Sequence, residues 1–237
     1  MPVENLVNIV PSAKRHTQDQ GWLRTSWLFS FDDYFDPDNM GFGELRVFND
    51  DVVAPGKGFP AHRHSEMEIV TLVLDGALTH RDSAGNEGML KADDAQAMSA
   101  GTGVLHSEMN QGKRPVHLYQ MWFLPDRNEV RPSYAQASFP MEGRRNSLVP
   151  LASGEGREGV LHINSPATLY RAALDGGTEI VHDAAGRLIF IYVTSGSLRV
   201  DGHALREGDQ ARVEGRGPLR ISTDGDSDLV LIDMPMS

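Results

Sequence analysis

Short apolar and β-branched runs, separated by Gly, Asp and Asn, make up most of this chain. GELRVFNDDVV (43–53), MEIVTLVLDG (67–76), AMSAGTGVLHSEMN (97–110) and VHLYQMWFL (116–124) are the clearest in the first half, and each predicts a strand. The turns between them carry hairpin chemistry. DSAGNEG (82–88) and LDG (74–76) supply residues that tolerate positive φ. No long amphipathic helical stretch interrupts the pattern, and RPSYAQASF (131–139) reads equally as a short helix or an extended segment. Closely spaced strands with frequent turn signals predict a sandwich or barrel.

The pattern breaks between about 125 and 150, where PDRNEVRPSYAQASFPMEGRRNS is polar and proline-containing, as an interdomain connection should be. Strand-like runs then resume with GVLHIN, TLYRAAL, TEIVHD, RLIFIYVTSGSLRVDG, DQARVEG, PLRIST and DLVLIDMP. The two halves echo each other. EIVTLVLDGALTHRDSAG (68–85) parallels LIFIYVTSGSLRVDG (188–202), and LKADDAQAM (90–98) parallels LREGDQARV (205–213). The expectation is therefore an all-β chain with a duplicated barrel. Its first domain spans residues 1–125, its connection 126–149 and its second domain 150–237.

Composition narrows the function classes. A length of 237 residues with 40% hydrophobic content suits two domains. No apolar run reaches the roughly 18 residues that a membrane span needs, and the N-terminus lacks the basic start and apolar core of a secretory signal. A soluble, cytoplasmic protein is expected. The formal net charge of −11 and the want of any basic stripe disfavour direct nucleic-acid binding; GRR at 143–145 reads as a solvated loop. With no cysteine, only histidine and carboxylate remain as metal ligands.

Nine histidines make one His-x-His pair cheap, with about 0.3 expected by chance. The framing of the pair carries more. Gly56 precedes His62 and His64, Glu68 follows, and Gly76 closes the run; further on, Gly103, His106, Glu108 and Asn110 form a second block. Residues two apart on a strand share a face at about 6.6 Å, so each pair can converge on one ion. Three imidazoles and a carboxylate suit Fe, Mn, Ni, Cu or Zn and leave positions open for substrate. Glu108, beside His106, is read as the fourth ligand, with Glu68 as an outer or alternate one. Val70, Leu72 and Leu74 have the strand parity to line the cavity, and core packing alone explains them equally well. His80 is read as a polar hairpin residue, His117 as a satisfied barrel residue, and His162, His182 and His203 as isolated.

These blocks resemble the two cupin motifs. MGFGELRVFNDD (40–51), the His62, His64 and Glu68 block, DGALTHRDSAGNEG (75–88) and MSAGTGVLHSEMN (98–110) further resemble the pirin family in its bacterial quercetinase-like branch. The resemblance is dense from about residue 20 to 124 and looser beyond 150. It implies a bicupin of two jelly-roll barrels, with one divalent metal, Fe(II) foremost, held by His62, His64, His106 and Glu108. Gly101 departs from the general cupin pattern, which often has proline there. The implied activity is that of a quercetin 2,3-dioxygenase, which opens a flavonol-like substrate with O2 and releases CO, with Glu108 or Glu68 accepting the substrate's hydroxyl proton. The alternative it implies is a redox-sensitive metalloprotein acting through a protein partner.

Overall fold

The computed structural model describes residues 4–236, and their regular structure is strand apart from two 3-10 turns, Ser12–Lys14 and Met141–Arg144. The ambiguous segment at 131–139 is extended. Ser133–Ser138 pairs antiparallel with Asp94–Ser99.

The chain forms two compact units that do not follow simple sequence boundaries. One comprises 16–140 with 152–166; the other combines the segment up to 15 with 141–151 and 167–237. Leu6–Val10 belongs to the second unit because it pairs along its whole length with Gln210–Glu214. The stretch expected as a plain connection, 126–149, carries the strand Ser133–Ser138. Polarity alone did not reveal that its alternating side chains could extend a sheet.

In the first unit a seven-stranded sheet runs Ser133–Ser138, Asp94–Ser99, Glu68–Asp75, Val116–Phe123, Leu45–Val53, Leu23–Trp27, His16–Asp19. A four-stranded sheet runs Gly58–His64, Val104–Met109, Ala77–Asp82, Glu87–Lys91. The second unit repeats the small sheet as Glu179–Asp183, Pro218–Ser222, Ser197–Val200, His203–Arg206. The sequence echo is thus a topological one. Its turns match too: Gly76 (φ 83°) and Gly196 (φ 75°) link equivalent strands, and a Cβ at either would lie 2.6 Å from Pro115 O or 2.3 Å from Asp226 O. Only glycine fits there.

The interiors differ. In the second unit Ile191, Val200, Ala211, Leu219 and Ile221 share one apolar core. By the echo and the strand pairing, the corresponding positions of the first unit are Thr71, His80, Gln96, His106 and Glu108, all buried. Apolar clusters remain around Leu78, Leu90 and Leu118 and around Ile69 and Met98. Burying polar groups between them is unfavourable unless each is paired or used.

Candidate metal centre

His62 and His64 lie on Gly58–His64, and His106 and Glu108 lie on the antiparallel Val104–Met109, with His106 opposite His62. Alternation along each strand turns the paired side chains to one face. The Nε2 atoms of His62 and His106 are 3.1 Å apart. One donor atom from each of His62, His64 and His106 lies within 4.8 Å of the others. Two neighbouring nitrogens bound to one ion at about 2.1 Å stand roughly 3.0–3.4 Å apart, so the spacing suits a shared cation.

The electrostatics agree with that use. Burial, helped by the neighbouring His62, pushes the His64 pKa down to about 4. Burial, followed by His62, His64 and His80, pushes His106 down to about 3. Both rings are therefore neutral near pH 7 and offer lone pairs. His64 Nε2 is buried with no hydrogen-bond partner among the described residues, a cost that a ligand would remove.

Glu108 is fully buried, and the large sheet supplies its donors. Gln96 Nε2 (2.6 Å) and Thr71 Oγ1 (3.1 Å) donate to Oε1, while Gln120 Nε2 donates to Oε2 at 2.6 Å. Burial raises its pKa, and the nearby His80 and these donors partly offset the rise. Glu108 is not in the group of three histidines. It falls instead in a second group whose donor atoms lie within 4.8 Å of one another, with His80 and His106.

Glu68 lies in neither group. Ser99 Oγ donates to its Oε1 at 2.7 Å, and the Asn164 backbone N–H donates to its Oε2 at 2.9 Å. Glu68 does not continue the face of His62 and His64, because at the connection 65–67 Glu66 has φ 50° and the chain passes from the small sheet to the large one. Along Glu68–Asp75, Thr71 reaches Glu108, so Val70, Leu72 and Leu74 point to the opposite face. Val70 and Leu72 are buried, which agrees with packing, the alternative to lining.

His80 lies in the hairpin of Ala77–Asp82 and Glu87–Lys91, as expected, but faces inward. It is fully buried on Ala77–Asp82, paired with Glu108, and stacks on Tyr134 with ring centroids 4.3 Å apart. A signal for it was present in the sequence. The half-chain echo sets His80 against Val200, and a histidine replacing a core valine requires a reason.

Beside His62 and His64 opens a cavity of about 320 Å³, walled by Trp22, Trp27, Phe31, Phe59 and Trp122, with Asn49, Asp51 and Gln120 as polar points. Trp122 meets His64 edge-on at 4.8 Å and Phe31 at 5.4 Å. Mostly apolar walls with a few convergent polar groups suit a small organic ligand.

Both halves of the chain match known protein families. Residues 10–123 match the pirin family and residues 150–234 match the quercetinase C-terminal cupin domain. The quercetin 2,3-dioxygenase of Escherichia coli (strain K12) is 39% identical over 225 residues, 94% of this chain and 96% of that protein. This chain belongs to the pirin family. A pirin-like protein of Caulobacter vibrioides is 38% identical over 233 residues, covering 96% of this chain and 99% of its own length. The crystal structure of the bacterial pirin YhhW from Escherichia coli, in complex with nickel(II), superposes with a TM-score of 0.92 at 36% identity, covering 98% of this chain and all of that one. The fold is the bicupin of the bacterial pirins, and the pirin match contains every member of both donor groups.

Proposed function

We propose that this pirin is a metal-dependent dioxygenase acting on flavonol-like aromatics, similar to quercetin 2,3-dioxygenase. The observation that carries the reading is the three-histidine cluster at the wall of an aromatic-lined cavity. His62, His64 and His106 would hold one divalent transition metal, with Glu108 as the fourth ligand. Neutral imidazoles, an orphaned His64 nitrogen and a carboxylate fit Fe(II), and also Mn, Ni, Cu or Zn. The nickel complex of YhhW and the names of the relatives support the same reading.

An ion held by these residues would supply Lewis acidity toward an oxygen-bearing substrate. The protein's share is orientation, exclusion of water and handling of one proton. Trp22, Phe59 and Trp122 receive the planar rings. Glu108, whose pKa is raised by burial and whose carboxylate lies within 4.8 Å of a His106 nitrogen, is assigned the 3-hydroxyl proton. Gln96, Thr71 and Gln120 hold that carboxylate in one orientation throughout. The net reaction proposed is opening of the flavonol heterocycle by one O2, giving a depside ester and one CO.

The test is loss of flavonol absorbance when iron-loaded protein meets quercetin in air, with His62→Ala and Glu108→Ala alongside. Turnover by the wild type and loss of it in both variants is expected. A wild type that turns over no member of a flavonol panel removes the substrate assignment. Turnover indifferent to both substitutions removes the site.

A further inference from the structure

His106 presents its two ring nitrogens to different surroundings. Nε2 faces His62 at 3.1 Å. Nδ1 is buried and has no hydrogen-bond partner among the described residues. A histidine that binds a metal through one nitrogen carries a proton on the other, and that N–H is almost always donated to a carboxylate, a carbonyl or a water.

The neighbouring His80 offers the complement. Its Nε2 donates to Asp82 Oδ2 at 3.3 Å. Asp82 is itself fixed, because its carboxylate accepts from Ala84 N (2.9 Å), Asn86 N (3.0 Å) and Asn86 Nδ2 (2.8 Å). With its proton on Nε2, neutral His80 has a bare lone pair on Nδ1, and that atom too is buried without a partner. The rings of His80 and His106 are 5.3 Å apart between centroids, and their strands pair directly, Asp82 opposite His106 and His80 opposite Glu108. A lone N–H and a lone acceptor thus sit on adjacent buried rings, a costly arrangement unless they are joined.

We propose that His80 and Asp82 are positioning residues for the metal ligand His106, with His80 Nδ1 receiving the His106 Nδ1–H through one buried water. The chain Asp82, His80, His106 extends the usual carboxylate–histidine support by one imidazole. Tyr134 stacks on the middle ring, His80, and restricts its rotation. The second unit shows what the fold does without this duty: the position equivalent to His80 is Val200, in the apolar core. This inference rests on the metal-centre reading above, and the experiment separates the two.

Metal-free full-length protein is titrated with Ni(II) by calorimetry, and its Co(II) form is examined by visible spectroscopy. Wild type, His80→Phe and Asp82→Asn are compared, with thermal melts as a check of folding. His80→Phe keeps the stack on Tyr134 and removes both nitrogens; Asp82→Asn removes the acceptor that sets the His80 tautomer. Each is expected to raise the Ni(II) dissociation constant about 10- to 100-fold and to shift the Co(II) bands. Folded variants with wild-type affinity and spectrum overturn the proposal while the metal centre stands. A wild type that binds no Ni(II) overturns the metal centre and the proposal with it. A third measurement needs no variant: nitrogen-15 NMR of the Zn(II)-loaded wild type should show His80 protonated at Nε2 and His106 at Nδ1, and a His80 protonated at Nδ1 overturns the proposal.

Discussion

Gln120 donates its amide nitrogen to Glu108 Oε2 at 2.6 Å, and the Trp122 indole fixes which end of that amide faces the carboxylate by donating to Gln120 Oε1 at 3.1 Å. Trp122 also meets the edge of His64. One residue pair therefore ties the orientation of the proposed carboxylate ligand to the wall of the cavity. Gln120→Leu strips a donor from a buried carboxylate, a change worth about 1–3 kcal/mol. Gln120→Glu places a second carboxyl against the first, and the pair then retains a proton. Metal content after desalting should fall in both variants, and further in Gln120→Glu.

Asp51 shows what the polar interior costs. Burial, reinforced by Asp50 and Glu108, raises its pKa from 3.8 to about 7. Its contribution to stability is fully present below the unfolded value near 4 and is lost as pH rises through 7. At about 1.4 kcal/mol per unit, ionising it in place costs on the order of a few kcal/mol above pH 8. Asp51→Asn should therefore raise the melting temperature at pH 8 and change it little at pH 4. A variant whose gain is the same at both pH values contradicts the assignment. Asp51 lines the cavity.

The two glycine classes should separate in a stability measurement. At Gly76 (φ 83°) an added Cβ would meet Pro115 O at 2.6 Å and Val116 Cα at 2.9 Å, whereas at Gly85 (φ 92°) it meets nothing within 4 Å. Gly85→Ala should cost only the backbone strain, about 1–2 kcal/mol. Gly76→Ala adds a clash with backbone and should cost clearly more. Urea unfolding of both variants, compared at equal m-value, checks the order.

The strand pattern, the duplication and the three clustered histidines were legible because each rests on local rules: alternation, turn chemistry and spacing. What was not legible depended on partners distant in sequence. Leu6–Val10 joins Gln210–Glu214 across some two hundred residues, and no local signal states that. Glu68 stands apart from the histidines because the backbone changes sheet at the turn before it, which residue spacing does not state. Gly101, read only as a departure from proline, has φ 42° with Val130 O 2.1 Å from where a Cβ would sit; proline cannot adopt that φ. His80, Thr71 and Gln96 were readable in principle. The echo aligns them with Val200, Ile191 and Ala211, and comparing the halves position by position isolates the polar substitutions around the site.

Substrate binding and metal binding should be separable at the outer wall of the cavity. Trp22 packs edge-on against Phe59 at 5.6 Å, and both line the cavity, yet neither belongs to a donor group. Removing an aromatic wall deletes stacking area and about 0.5–1.5 kcal/mol of ring-specific contact besides. Because that contact serves ground state and transition state alike, its loss should appear in KM more than in kcat. Trp22→Ala is expected to raise KM for a flavonol about tenfold or more with metal content unchanged, while Trp22→Phe recovers most of it. Steady-state kinetics on metal-quantified protein decides the matter. An unchanged KM would mean that the planar substrate enters elsewhere, and a loss of metal would mean that Trp22 supports the histidines instead.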